Sequence, residues 1–122
     1  MWIMLNDAFF SIVDKDCPRD SVLVRARRKG DIQRVFGEGD DEGQTYVHGE
    51  EVIHTPTADY PYRVVMQRSF LGHKLSEEVN RVTYPNFKAS VADRSLHDAY
   101  LNVWTAMMNW QRRITVGTRR RK

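Results

Sequence analysis

An amphipathic segment near the C-terminus places the strongest constraint on how this chain can fold. Ser95 and Asp98 form a variant of the capping box, so a helix is predicted to begin at Ser95. An apolar stripe follows at helical spacing, formed by Leu96, Tyr100, Val103, Met107 and Trp110 and widened by Trp104 and Met108. Because a small sheet that also buries another helix cannot cover so much apolar surface, we expect a dimer with this helix at or near the interface.

The residues before this helix predict an α+β fold with a small antiparallel sheet of about four strands and helices on one face. The stretch from Trp2 to Val13 and the stretch SVLVRARRKG form a predicted hairpin. The segments EVIHT and YRVVMQ, joined around PTADYP, predict two further strands.

Two further helices are predicted between and after these strands. DIQRVF, which follows a turn and cap at Gly30-Asp31, is expected to bury Ile32, Val35 and Phe36. A longer helix is predicted to begin with a cap at Ser69 and to end before Pro85, with an apolar side formed by Leu71, Leu75, Val79 and Val82.

Length and charge predict one domain over residues 1–114, followed by a basic, disordered tail over residues 115–122. The net charge is +3, and the last four residues, Arg119 to Lys122, are all basic, so the rest of the chain is close to neutral. A neutral body argues against binding of long nucleic acid, which requires a cationic face that neutralises several phosphates. A small anionic ligand requires only two or three well-placed cations.

The sequence predicts a cytoplasmic protein without a membrane segment. No apolar run approaches the roughly 20 residues that cross a bilayer, and Asn6 and Asp7 interrupt the apolar opening, which therefore does not resemble a signal peptide. The glycine-rich acidic segment GEGDDEGQ, residues 37–44, predicts a surface loop and lacks the ligand spacing of a calcium site.

The sequence offers little support for catalysis. The four histidines, His48, His54, His73 and His97, do not have the spacing of a known metal site. A nucleophile elbow, a phosphate-binding loop and a dinucleotide fingerprint are all missing from the sequence. We therefore predict no catalytic residue, no metal and no cofactor, and do not expect an enzyme.

Three segments together carry the kinds of side chain that a nucleotide requires. They contribute guanidinium groups, which bind phosphate through a two-pronged fork, and aromatic faces, which stack on bases. The first segment holds Arg25, Arg27 and Arg28, the second holds Tyr60, Tyr62 and Arg63, and the third, YPNFK, holds Tyr84, Asn86, Phe87 and Lys88.

Each of these residues also has a structural interpretation. Phe87 is either a core residue or a stacking platform, and Arg63 is either a salt-bridge partner or a ligand contact. Arg25 and Arg27 can lie on a solvated strand face with packed stems. His97 is either a surface residue of a first helical turn or a neighbour of an anion at that helix end.

Five blocks of the sequence, in their order and spacing, resemble the first family of anti-Thoeris sponge proteins. They are MWIMLNDAFFSIV, LVRARRKGDIQRVF, TADYPYRVV, YPNFKASV and HDAYLNVW, and the resemblance extends from Met1 to about Trp110. It implies a phage counter-defence protein that binds glycocyclic ADP-ribose signals, and in some members cyclic trinucleotides, without cleaving them. It also implies homodimers that can assemble into hexamers in the host bacterial cytoplasm.

The resemblance further implies roles for individual residues. Phe87 would stack on the ligand beside Asn86, and Arg27 or Arg28 would bind the pyrophosphate. Arg63 would serve this site or a second one, and His97 would lie at the start of the interface helix.

Two other functions compete with the sponge. A protein-binding inhibitor of a defence complex, similar to an anti-CRISPR protein, would use the acidic segment from Glu38 to Glu51 or the apolar helix as its docking face. A small nucleotide-modifying enzyme would instead turn over the ligand that it binds.

Overall fold

The computed structural model describes residues 1–37 and 46–120, with side chains described up to residue 117. It confirms the predicted α+β class, since 43% of the described residues are helical and 24% are in strands. The contacts group the chain into two compact units, Met1–Thr83 and the residues from Tyr84 onward. The single domain predicted over residues 1–114 stays a prediction, and the predicted acidic loop lies outside the described residues apart from Gly37.

The first unit is built on a five-stranded antiparallel sheet with the strand order β1-β2-β3-β7-β6. Its strands are β1 Trp2–Met4, β2 Phe9–Val13, β3 Ser21–Ala26, β6 Ile53–His54 and β7 Tyr62–Gln67. A separate two-stranded sheet pairs β4, Tyr46–Val47, with β5, Glu50–Glu51.

The predicted first strand from Trp2 to Val13 is in fact two strands, β1 and β2. The Leu5 N–H donates to the Ala8 carbonyl oxygen at 2.8 Å and closes a turn over Asn6 and Asp7. Asn and Asp favour turns because their side chains bond to nearby backbone groups. This pair of residues therefore divides the apolar opening and adds a fifth strand to the predicted four.

One face of the sheet forms the core together with two helices, α1 Asp31–Phe36 and α2 Arg68–Asn80. The core is built from alternate residues of the three central strands, which are Phe10, Ile12, Val22, Val24, Ala26, Val64 and Met66. Ile32 and Phe36 of α1 are buried against it, as predicted, whereas Val35, which was also predicted to be buried, is only partly buried at its margin. Gly30 precedes α1 with φ +87°, a conformation that glycine adopts without strain.

Helix α2 differs from its prediction at both ends. Strand β7 leads directly into the helix, and Gln67 rather than Ser69 occupies the N-cap position, with no side-chain hydrogen bond. The helix ends at Asn80, so Val82 lies beyond it. Leu71 is buried, but Val79 and Val82 are 71% and 53% exposed, and the predicted apolar side is therefore buried only over its first half.

The second unit consists of a short helix α3, Phe87–Ser90, and a long helix α4, Arg94–Arg120. The cap of α4 is Asp93 rather than the predicted Ser95, because the Asp93 carboxylate accepts both from the Leu96 N–H, at 3.0 Å, and from the Ser95 hydroxyl, at 2.7 Å. The helix continues through residues 115–120, part of the predicted tail, since extending an existing helix costs far less than starting one. Residues 121–122 lie outside the described part.

Candidate functional site

Two arginines of the central sheet lie directly opposite each other. Arg25 of β3 is in register with Arg63 of β7, on the sheet face opposite the core. Like charges in this position destabilise a strand pair. A pair that weakens the sheet in this way is a candidate for a binding role rather than a purely structural one.

Arg25 is also incompletely bonded. Its Nη2 donates to the Ser11 hydroxyl at 2.8 Å, and Ser11 is only 1% exposed. Its Nε is buried and has no hydrogen-bond partner among the described residues. A buried donor without an acceptor costs free energy. A bound anion could accept a hydrogen bond from this nitrogen and remove that cost.

Tyr60 connects these two arginines to Arg27. The Cζ atoms of Arg25 and Arg27 lie over the Tyr60 ring, at 4.5 and 4.2 Å from its centroid. The Tyr60 carbonyl oxygen accepts from Arg63 Nε at 3.1 Å. We refer to Arg25, Arg27 and Arg63 as the arginine cluster.

One carboxylate, that of Asp59, accompanies the arginine cluster. It lies 3.6 Å from Arg63 Nη2 and its side chain is 68% exposed, so water screens the interaction. The Asp59 backbone oxygen accepts from Arg27 Nη1 at 3.0 Å. In the part of the chain that the structure describes, three guanidinium groups with one screened carboxylate leave a local excess of positive charge, which suits a phosphate-bearing ligand.

Arg28, which neighbours Arg27, does not belong to this cluster. Its Nε donates to Asp31 Oδ1 at 2.9 Å and its Nη2 donates to the Asp7 carbonyl oxygen at 2.8 Å. Arg34 also contacts the same Asp31 oxygen, and the Asp31 side chain is almost fully buried. The structure therefore gives Arg28 a role in anchoring α1, and its predicted ligand contact stays a prediction.

The YPNFK segment contributes to an aromatic cluster within the second unit, which we define as Tyr84, Phe87 and Tyr100. Phe87 is half-buried and stacks on Tyr100 with ring centroids 5.4 Å apart, while Tyr84 is tilted at 6.1 Å. Phe87 thus has a structural partner on one face and some exposed surface. Both interpretations of this residue, core and platform, stay open.

The other predicted residues of this unit already have local partners. Asn86 is the N-cap of α3, since its Oδ1 accepts from the Ala89 N–H at 3.1 Å. His97 Nδ1 lies 3.5 Å from Asp98 Oδ1 in the first turn of α4. Lys88 places its ammonium nitrogen 4.2 Å from the centroid of the Trp104 ring, a cation–π contact that YPNFK alone did not predict.

Most of the predicted apolar stripe of α4 is exposed in the chain as described. Val103, Trp104, Met107 and Trp110 are exposed, and the stripe continues through Ile114. Tyr100 is buried and Leu96 is half-buried. An exposed row of large apolar side chains is typical of an interaction surface.

The structure also has a cleft of about 230 Å³ that none of the predicted site residues lines. It lies among Pro18, Arg19, Ser21, His48, Glu50 and the end of β7. Ligand pockets usually enclose about 300–1,000 Å³, so this cleft is small for a nucleotide.

The sequence missed the central position of Tyr60. It drew attention to Tyr60 as a neighbour of Arg63 in ADYPYR, but the ring meets Arg25 and Arg27, which are more than thirty positions away. The pairing of β3 with β7 brings these segments together, and the sequence pattern does not contain that pairing.

Within residues 1–37 and 46–120, no group of three or more His, Cys, Asp or Glu side chains is placed to hold a metal ion. None of the helices in the same residues is both long enough and apolar enough to cross a bilayer. No protein-family model, curated protein or solved structure matches the chain. The resemblance to anti-Thoeris sponges and the residue roles that it implies therefore stay predictions.

Proposed function

We propose that this protein is a phage counter-defence sponge that binds a cyclic nucleotide immune signal of the glycocyclic ADP-ribose type and sequesters it without cleaving it. The arginine cluster is the observation that carries the proposal. Its cross-strand pair of like charges weakens the sheet, and a phosphate-bearing ligand would offset this cost by placing an anion between the two guanidinium groups.

Sequestration requires affinity and no reaction. A ligand held by the protein is removed from its effector by mass action, in proportion to the protein present and to the dissociation constant. A rigid group of guanidinium donors provides such affinity, because little side-chain freedom is lost when the anion binds. The same geometry suits the phosphates of a cyclic oligonucleotide.

Taken by itself, the second unit carries an aromatic surface that would suit a base or a ribose. The exposed part of Phe87 lies in the same unit as the Lys88–Trp104 contact and the capping residue Asn86. An aromatic face stacks on a base with about 1–3 kcal/mol.

Arg27 is the more favourable of the two candidate pyrophosphate contacts, because Arg28 is already bonded to Asp31 and Asp7.

We further propose a homodimer in which two copies of α4 pack side by side in antiparallel orientation. The exposed stripe recurs with coiled-coil spacing at Val103, Met107, Trp110 and Ile114. The later half of α4 carries Arg112 and Arg113, whereas Asp93 and Asp98 lie near its start. An antiparallel pair keeps the cationic ends apart, and a parallel pair would bring them together.

A calorimetric titration with glycocyclic ADP-ribose isomers tests the sponge, and linear ADP-ribose and NAD are compared with them because they carry a pyrophosphate without the cyclic linkage. We expect tight binding of at least one isomer and recovery of intact ligand after heat denaturation of the protein. The Arg25→Gln variant should bind more weakly. Arg19→Gln is the matched control, because the Arg19 side chain is 96% exposed and its contact with Asp20 is long, at 4.0 Å. The absence of binding to any isomer, or recovery of altered ligand, would contradict the proposal.

Light scattering coupled to gel filtration tests the dimer. The wild-type chain should elute with twice its formula mass, and Met107→Asp should elute as a monomer because it places a charge in the apolar stripe. Asn109→Asp adds the same charge on the opposite side of the helix and should remain dimeric. A wild-type monomer would overturn the dimer.

A protein-binding inhibitor is the second candidate, and the exposed stripe of α4 is the observation that favours it. A monomeric wild type that binds no cyclic nucleotide would leave this stripe available to a different protein. Inhibition of a purified defence complex, lost in Met107→Asp and kept in Asn109→Asp, would then support this function.

A further inference from the structure

Tyr60 is nearly fully buried, at 4% exposure, in a position between the strands that carry the arginines. The turn that holds it is closed by two hydrogen bonds: the Thr55 N–H donates to the Pro61 carbonyl oxygen at 2.7 Å, and the Tyr60 N–H donates to Asp59 Oδ1 at 2.9 Å. These bonds hold the backbone at Tyr60, and burial restrains the ring. It is also too buried to stack on a base.

All three members of the arginine cluster contact this one residue. The guanidinium groups of Arg25 and Arg27 lie over its ring, and Arg63 Nε donates a hydrogen bond to its carbonyl oxygen. Three like charges that converge in this way repel one another, and free arginine side chains would turn toward water. The negative face of an aromatic ring attracts cations without neutralising them, so it holds them together and leaves their charge available.

We propose that Tyr60 is a positioning residue, which assembles the arginine cluster as an anion-binding site without itself touching the ligand. The inference rests on the proposed function, because it assumes that the cluster binds the phosphate groups of the signal. It adds that recognition at this cluster depends on phosphate charge and not on the base. Inorganic pyrophosphate should therefore bind there and compete with the nucleotide.

The test compares three variants of the full chain in pyrophosphate titrations at low salt. Tyr60→Leu removes the ring face, and we expect about tenfold weaker binding, which corresponds to about 1.4 kcal/mol. Tyr60→Phe keeps the ring face and should bind within about twofold of the wild type. Tyr62→Leu is the matched control, because Tyr62 stacks on His54 at 4.6 Å, and its binding should equal that of the wild type.

A spectroscopic measurement separates positioning from a general effect on folding. Protons above an aromatic face resonate upfield, so the Hε signals of Arg25 and Arg27 should be shifted upfield in the nitrogen-edited NMR spectrum of the wild type. These shifts should persist in Tyr60→Phe and disappear in Tyr60→Leu. Absence of the shifts in the wild type overturns the proposal even if Tyr60→Leu fails to fold.

The remaining outcomes distinguish this inference from the proposed function. If the wild type binds pyrophosphate and Tyr60→Leu binds it equally well, the role of Tyr60 is overturned and the sponge is unaffected. If the wild type binds neither pyrophosphate nor any glycocyclic ADP-ribose isomer, the proposed function fails together with the site. If the wild type binds the nucleotide but not pyrophosphate, the phosphate-only recognition is overturned.

Discussion

Two groups of arginines in the first unit differ in what lies at their centre. Arg28 and Arg34 surround the buried carboxylate of Asp31, whereas the arginine cluster surrounds the buried ring of Tyr60. A carboxylate neutralises part of the charge around it and uses the donors that point toward it. A ring holds the cations in place and leaves their charge and most of their donors free.

This difference separates a structural role from a binding role for the same residue type. Asp31 is the first residue of α1, where a negative charge also favours the helix N-terminus. The ion pair with Arg28 ties the start of the helix to the turn that follows β3, and Arg34, which lies in the same helix, pairs with Asp31 within its first turn. The arginine cluster fixes no helix and places two like charges across a strand pair, so a ligand explains its arrangement better than the stability of the fold does.

The largest effect is expected from Asp31→Asn, which removes the carboxylate from the first group. Loss of one member of a buried ion pair usually costs about 3–5 kcal/mol, and we expect about 3 kcal/mol because both arginines can still reach water. Urea unfolding of the variant and the wild type measures this loss. Ligand affinity of the folded variant should not change.

Asp14→Asn is the matched control for that experiment. It breaks the pair between Asp14 and Arg68, at 3.0 Å, in which both side chains are mostly exposed. Such a surface pair is worth about 0–1 kcal/mol. Equal losses in the two variants would show that the Asp31 group has no special structural role.

Arg25→Gln should produce the opposite combination in the second group. Affinity for the nucleotide should fall about tenfold or more, because a hydrogen bond to a charged group contributes about 1.5–3 kcal/mol. The free energy of unfolding should change by less than about 1 kcal/mol, because relief of the repulsion across the strand pair opposes the loss of the hydrogen bond to Ser11. Calorimetric titration and urea unfolding of the same preparation measure both quantities. A loss of stability comparable to that of Asp31→Asn would contradict the distinction between the groups.

The sequence predicted the arginines and the strands that carry them, but not the partner of each guanidinium. Strand alternation placed Arg25 and Arg27 on one side of the second strand, and the structure keeps them there. The partners depend on which strands pair and in what register, and hydrophobic periodicity does not contain that information. Alternation places Arg28 on the other side from Arg27, but it did not identify Asp31 and the Asp7 carbonyl oxygen as the partners of Arg28.

The start of the last helix is a second case in which the sequence pattern did not predict the hydrogen-bond partners. The sequence placed the start of the last helix at Ser95 because a Ser and an Asp stood three residues apart. In the structure Asp93 accepts two hydrogen bonds at that helix end, and Ser95 is one of its donors. Several residues in this stretch could cap a helix, and the geometry of the entering chain decides among them.

The smallest and most discriminating effect is expected from the adjacent pair Arg27→Gln and Arg28→Gln. Arg27 is exposed and lies over the Tyr60 ring, so its loss should weaken ligand binding about threefold at low salt with little change in stability. Higher salt should reduce this effect, because the screening length falls from about 10 Å at 0.1 M to about 3 Å at 1 M.

Arg28→Gln should leave affinity unchanged and lower stability by about 1 kcal/mol, since it removes charged hydrogen bonds to Asp31 and to the Asp7 carbonyl oxygen. Titration at two salt concentrations, together with urea unfolding, separates the two variants. If Arg28→Gln weakens binding more than Arg27→Gln, the ligand must displace Asp31 from Arg28, and the two groups of arginines would then be parts of one site.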